Sequence, residues 1–359
     1  MSRGSSILSR ALLAFERKMS RKRWNVPAMG IEHKAQRGSG GTGGAGGEPG
    51  AGSGTNEQRA GLDRATANLG RVPDRLCLLS VHAHPDDEAS KGAPTVAKYH
   101  AEGVHTVLVT ATGGEEGDIL NPAMDTPEVR ADIGAVRMAE LKAATEIIGY
   151  DETVLLGYRD SGMPDTEANK NPASFGQAPL DEAVERLVAV IRRERPQVVI
   201  TYGEDHSGYP HPDHIRVHQI SVLAFDSASD PDRYPEAGPP FAPAKLYYSV
   251  WAASRFREIH AKFEELGLES PFDEKWLDRI GRDESFTTTI DIAGYGHVRT
   301  EALKAHATQV DPNSKFWFGL PPEVMRDIHP VEEFYLARSR IGPTTGVVEE
   351  DLFEGLRAG

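Results

Sequence analysis

The sequence predicts an α/β protein: a Rossmann-like, doubly wound, mostly parallel sheet with helices on both faces, plus a smaller C-terminal α+β part. Two observations predict it. Apolar strand runs alternate with helical stretches about five times between residues 76 and 250, the rhythm of β-α-β units. The strand runs are also continuously apolar, as strands covered on both faces must be. In order, Leu76–Val81 (LCLLSV) reads as a buried strand, Ala89–Ala101 as a helix and Val104–Thr110 (VHTVLVT) as the second strand. Arg130–Ile148, rich in Ala, Glu, Leu and Lys, reads as a long helix. Thr153–Leu156 is a short strand, Leu180–Glu194 a helix, and Pro196 marks the approach to the strand Val198–Tyr202 (VVITY). A helix over His214–Ser227 and a fifth strand over Leu246–Val250 complete the alternation. This divides the chain into an extension over residues 1–74, a Rossmann-like core over 75–250 and a C-terminal part over 251–359 that completes the substrate pocket.

The extension is unlike the rest. Residues 1–75 hold 13 Lys/Arg against 6 Asp/Glu, whereas the whole 359-residue chain has a net charge of −14, so the body is strongly acidic and unsuited to nucleic acid as its main partner. Gly38–Gly54 is Gly/Ser-rich and offers nothing to bury, which predicts a disordered, basic tail. The apolar word Ile7–Phe15 is interrupted by Arg10 and is followed by no cleavage pattern, so it does not read as a targeting segment. No run approaches a membrane span. One cysteine, Cys77, forms no internal disulfide, which predicts a reducing, cytoplasmic compartment and leaves any metal to His, Asp and Glu.

Two dense clusters follow strand runs. His82-Ala83-His84-Pro85-Asp86-Asp87-Glu88 follows the first and Tyr209-Pro210-His211-Pro212-Asp213-His214 the fourth. Either alone could be a helix-capping turn, with Asp86 or Asp213 as the cap. Together they can meet, because loops leaving the carboxyl ends of such strands share a crevice. Imidazoles plus a carboxylate suit Zn²⁺ with open positions for water and substrate, and the same donor types suit Fe²⁺. Adjacent carboxylates at Asp86 and Asp87 favour hydrolysis, in which one binds metal and the other moves a proton. A dinucleotide-binding dehydrogenase is excluded, since no G-x-G-x-x-G follows the first strand.

HAHPDDEASKG followed by YPHPDHIR resembles the zinc-dependent amidohydrolases of the LmbE and PIG-L deacetylase family, and the words TGGEEGDILNPAMD, DSGMP, KLYYS, HATQVDPN and ARSRIG extend the likeness from Leu76 onward. The resemblance implies hydrolysis of the glucosamine-to-N-acetylcysteine amide of mycothiol S-conjugates, a small pseudo-disaccharide thiol partner. Its alternatives are deacetylation of N-acetylglucosaminyl inositol or of an amino sugar in natural-product biosynthesis. By position it implies His84, Asp87 and His214 as metal ligands and Asp86 as general base. His211 would polarise the carbonyl, oriented by Asp213 and assisted by Tyr209. Asp118, Arg137 and Asp160 would hold sugar and inositol hydroxyls. Lys91, one helical turn beyond Asp87, could return its ammonium to the pocket mouth and help choose the substrate. Neither nucleic acid nor a membrane is implied, and a homo-oligomer stays open.

Other residues carry plainer expectations. Strand alternation points His82 away from His84. Glu88 should be a helix-dipole partner or an acceptor behind the site. His206 and His218 read as helix-face or surface residues, Cys77 as a small buried hydrophobe, and Phe316–Phe318 as a local core more than a substrate lid. Gly203–Gly208 (GEDHSG) departs from the family's pattern before Tyr209, which bears on substrate choice.

Overall fold

The computed structural model describes residues 75–206, 209–279, 286–342 and 348–357. The basic extension, its Gly-rich linker and Ser207 and Gly208 of the loop before Tyr209 lie outside these. Seven strands form one sheet in the order β3-β2-β1-β4-β5-β7-β6. They are β1 (Cys77–His82), β2 (His105–Thr112), β3 (Glu152–Tyr158), β4 (Val198–Tyr202), β5 (Lys245–Ser249), β6 (Thr288–Asp291) and β7 (Val331–Ser339). The first five run parallel, and β7 and β6 continue the same sheet antiparallel beyond β5.

The strands sort their side chains with a period of two. Leu79, Val81 and Val199 face one core with Leu187 and Val217, whereas Leu78, Val198 and Ile200 face another with Val96 and Ala144. The first face is covered by α5 (Leu180–Glu194) and α6 (Pro212–Ser227). The second is covered by α2 (Ala93–Ala101), α4 (Ile133–Ile148) and α8 (Gly296–Ala305). Every residue of β1 and β4 is buried, as expected of central strands with helices on both sides. A third cluster of Phe256, Ile259, Phe263, Phe272, Leu277 and Leu320 holds the C-terminal helices together.

Three boundaries differ from the sequence reading for local reasons. The stretch Ala89–Ala101 is two helices, α1 (Asp87–Ser90) and α2, because Gly92 takes φ 88° and Pro94 restarts the helix; a positive φ is cheap only for glycine. The long helix is likewise interrupted: α3 (Pro127–Ala131) ends at Asp132, whose carboxylate accepts from the Ala135 N–H and caps α4. α6 starts at Pro212, where proline lacks only an N–H that a helix start leaves unused. β6 and β7 are additions to the five strands read from the sequence. Glu332 and Glu333 interrupt the apolar alternation of β7, and both are buried.

Strand order decides where chemistry can occur. β1 lies between β2 and β4, and connections leave it in one direction and β4 in the other. The carboxyl ends of β1 and β4 therefore border a crevice at the switch point, where ligands of open α/β sheets bind. Both His/Asp clusters follow these two ends. Among the described residues no helix is long and apolar enough to cross a membrane.

Candidate metal centre and active site

Pro85 and Asp86 turn the chain sharply out of β1. Asp86 holds φ 111° without being glycine, a conformation that needs support from its surroundings. The Asp86 N–H donates to Glu88 Oε2 at 2.9 Å, and His306 pairs with Glu88 Oε1 at 2.6 Å with both side chains fully buried. From the other side Arg137 donates to Asp86 Oδ2 at 3.1 Å and also to the carbonyls of Pro85 and Gly114. A Cβ at Gly114 or Gly117 would collide with this guanidinium, so glycine at both places opens the channel through which Arg137 reaches the turn.

This turn sends adjacent aspartates to different partners. Asp86 faces Arg137, whereas Asp87 Oδ2 accepts from the His84 N–H at 3.0 Å and lies 3.5 Å from His84 Nδ1 and 3.3 Å from His214 Nε2. The other oxygen, Oδ1, accepts from Lys91 Nζ at 2.7 Å. One ligand atom each from His84, Asp87 and His214 falls within 4.8 Å of the others, and all three residues are buried. His84 also belongs to a second such group with Asp160, His211 and Asp213. There, however, Asp213 accepts from the Ser161 N–H at 3.0 Å and from its hydroxyl, and Asp160 accepts from Gly162 N–H at 2.8 Å and Glu116 N–H at 3.3 Å. Those carboxylates are engaged by a loop. The donor set His84, Asp87 and His214 fits a borderline divalent cation such as Zn²⁺.

Charges follow from this packing. Burial would push the Asp87 carboxyl up, but His214, Lys91 and His84 outweigh it and hold it well below the usual range. Asp86 moves the opposite way: burial raises it, and neighbouring Asp87 and Glu88 oppose the lowering by Arg137. Burial would likewise depress His84, yet its hydrogen bonds to Asp160, Asp213 and Asp87 keep it well above the ordinary value. His211 is pushed down to about 3 by burial and by the charge of His84. Its Nδ1 accepts from the Asp213 N–H at 3.2 Å, so the neutral ring carries its proton on Nε2 as a donor.

The remaining expected residues divide. Tyr209 is 45% exposed and its ring lies 5.0 Å from that of His214 and 5.8 Å from that of His211, at the mouth of the site. Asp213 meets His211 through its backbone N–H, while its carboxylate holds His84 and Ser161. Asp160 is buried beside His84 Nε2 at 3.5 Å. Arg137 is 2% exposed and inward-facing. Asp118 is exposed on the loop after β2. Lys91 is engaged with Asp87 and lies 5.6 Å from the Trp251 ring. His82 is fully buried near Tyr202 and held down to about 4 by burial. His218 bonds the Tyr202 carbonyl at 3.0 Å. Cys77 is buried.

Three contributors were not singled out by motif. Tyr202 stacks on His214 with centroids 4.6 Å apart and an interplanar angle of 12°, and its hydroxyl accepts from the Ala83 N–H at 2.9 Å. Ser161 fixes Asp213, and His306 fixes Glu88. Ser161 and His306 stand inside the words DSGMP and HATQVDPN, which were the available signal; Tyr202 looks like any strand aromatic.

The chain is similar to several known proteins. A family profile described as PIG-L, GlcNAc-PI de-N-acetylase, matches residues 79–225. A mycothiol S-conjugate amidase of Streptomyces coelicolor is 42% identical over 297 residues, covering 80% of this chain and 99% of that protein. Two 1D-myo-inositol 2-acetamido-2-deoxy-alpha-D-glucopyranoside deacetylases, from Geodermatophilus obscurus and Rhodococcus erythropolis, are 40% and 41% identical over 295 residues each. They cover 79% and 78% of this chain and 99% and 98% of those proteins. Among solved structures, the N,N'-diacetylchitobiose deacetylase of Pyrococcus horikoshii aligns with a TM-score of 0.49 at 16% identity, over 79% of this chain and 92% of that one.

Proposed function

The chain belongs to the GlcNAc-PI de-N-acetylase (PIG-L) family, and from that premise we propose that it is a metal-dependent amidase cleaving mycothiol S-conjugates. What supports the reading most is the convergence of His84, Asp87 and His214 with a second carboxylate, Asp86, held beside them by Arg137. Zn²⁺, with Fe²⁺ as the alternative, would be held by His84, Asp87 and His214 and would supply Lewis acidity to the scissile amide and its attacking water.

The chain's own residues do the rest. Asp86 takes the proton from the water and returns it to the leaving amine, a role suited to a carboxyl whose affinity for protons is raised. His211 donates from Nε2 to the oxygen on which negative charge develops, and the Asp213 N–H fixes that tautomer. Tyr209 assists from the mouth. Asp118 and Asp160, at the ends of β2 and β3, mark the polar side on which sugar and inositol hydroxyls are held, and Arg137 serves that side by positioning Asp86. Residues 251–359 complete the pocket on the other side, where Trp251, Phe316 and Trp317 adjoin Lys91. The single, buried thiol of Cys77 fits a reducing, cytoplasmic setting.

The second reading is N-acetylglucosaminyl-inositol deacetylation, favoured by the relatives of about 40% identity that carry that name. One comparison separates the two: kcat/KM of metal-loaded protein for a mycothiol S-conjugate and for N-acetylglucosaminyl inositol. The amidase reading requires the conjugate to be the better substrate. Preference for the acetylated sugar makes the protein a deacetylase, and hydrolysis of neither removes both readings.

A further inference from the structure

A cavity partly open to solvent adjoins the candidate ligand cluster at Lys91. Trp251 stands at its rim, 45% exposed, with ring centroids 6.3 Å from Phe316 and 6.0 Å from Trp317. Phe316 and Trp317, half-buried, pack against the cores behind them, as expected of a local core, and their outer edges line the cavity.

The cavity also holds charges, and all but one are engaged. Lys91 pairs with Asp87. Arg299 pairs with Glu332, which in addition accepts from the Thr95 N–H at 3.1 Å and hydroxyl at 2.6 Å. Glu333 pairs with His329 at 2.8 Å. Arg255, on the first turn of α7 (Ala253–Glu265), lines the same cavity and makes no hydrogen bond or ion pair among the described residues. Burial, with repulsion from Arg299 against attraction by Glu332 and Glu333, pushes its guanidinium down to about 9, which leaves it cationic at neutral pH. Half-buried and facing the cavity without a protein partner, this cation is open to an anion supplied by a ligand.

Topology says which part of a substrate reaches it. The polar groups Asp118 and Asp160 come from the β2–β3 side of the crevice, whereas this cavity lies at the end of β5, across β1 and β4. A polyhydroxyl amine belongs on the first side and the acyl half of the amide on the second. We infer that the cavity receives the acyl side of the substrate, an apolar or aromatic substituent ending in an anion such as a carboxylate, and that Arg255 binds that anion. This rests on the amidase reading and adds a substrate class to it: conjugates of aromatic acids in preference to neutral ones.

The test uses matched S-benzyl and S-(4-carboxybenzyl) conjugates as substrates. In parallel, tryptophan fluorescence follows binding of the two corresponding N-acetyl-S-substituted cysteinamides, which need no turnover. The wild type should favour the carboxylate by about tenfold or more in kcat/KM and in affinity, the lower range for a hydrogen bond between charged groups. In Arg255→Met the ratio should fall to near one, and Arg255→Lys should keep part of it. Equal handling of the two by the wild type, or a preference that survives Arg255→Met, overturns the assignment. Should neither conjugate be cleaved, the amidase reading fails, while the binding ratio still decides whether Arg255 is an anion site.

Discussion

Arg137 and Asp86, 51 residues apart in sequence, meet at 3.1 Å inside the crevice, with the Arg137 side chain 3% exposed. The same guanidinium holds the carbonyls of Pro85 and Gly114, so one side chain fixes both the strained backbone and the carboxylate of the turn. An arginine fork can grip several oxygens at once, which a lysine cannot.

Loss of that grip should be visible in turnover before it is visible in metal content. Arg137→Met is expected to lower kcat on the order of 10²-fold, the effect of a roughly ångström-scale misplacement of a reacting group. Stoichiometric metal should remain, because Arg137 touches none of His84, Asp87 and His214. Arg137→Lys should recover only part of kcat. A parallel fall of metal content and kcat would mean that Arg137 merely supports the fold.

Metal removal should silence the enzyme without unfolding it. The cluster joins loops of a sheet whose two cores are complete without it, unlike a zinc finger, whose fold is the metal site. One divalent ion per chain is expected by elemental analysis. Chelation should abolish turnover, keep far-UV circular dichroism and lower the Tm, since a ligand bound only by the native state adds stability by mass action. Full activity in verified metal-free protein would end the mechanism, and global unfolding would make the ion structural.

The candidate site is legible because it is local in sequence: HAHPDDE and YPHPDHI each place several candidate ligands on one turn, and parallel β1 and β4 bring the turns together. The supports were hidden because they are distant. Glu88 finds His306 across 218 positions, and Glu332 finds Thr95 across 237; no periodicity reports such pairs. Arg137 reads from the sequence as a substrate contact; in the fold it is buried against Asp86 in space left by Gly114 and Gly117, a proximity no local pattern reports. β7 is hidden for a related reason: Glu332 is buried against Thr95 and Arg299, both distant in sequence, so the run does not look like a strand.

His329 offers a pH test of the C-terminal part, away from the metal ligands. Its ring nitrogens meet Glu333 at 2.8 Å and Glu258 at 3.1 Å. Burial alone would depress it, but these bonds outweigh burial and raise it above the usual 6.5. A raised histidine contributes stability that is fully present below its unfolded value and is lost as pH climbs through the folded one. The urea midpoint difference between wild type and His329→Asn should therefore be largest near pH 6 and shrink as pH rises; Asn suits the positive φ of this position. A difference that is flat with pH would show that the imidazolium is not what stabilises.

The adjacent aspartates provide the sharpest test, because the turn separates their duties. Asp87 Oδ2 lies between His84 and His214, whereas Asp86 leaves at φ 111° toward Arg137. Removing Asp86 should therefore spare the ion and remove the base. Asp86→Ala is expected to bind near-stoichiometric metal and lose about 10²-fold to 10⁴-fold in kcat, the usual range for a general base. Asp87→Ala should instead weaken metal affinity, leaving two imidazoles where three ligands were needed, and excess metal should restore part of its activity. Both measurements are required on each variant, since activity alone cannot distinguish an empty site from a filled one lacking its base. If Asp86→Ala sheds metal while Asp87→Ala keeps it, the two roles are exchanged. If both variants retain full turnover, the crevice between β1 and β4 is not where the amide is cleaved.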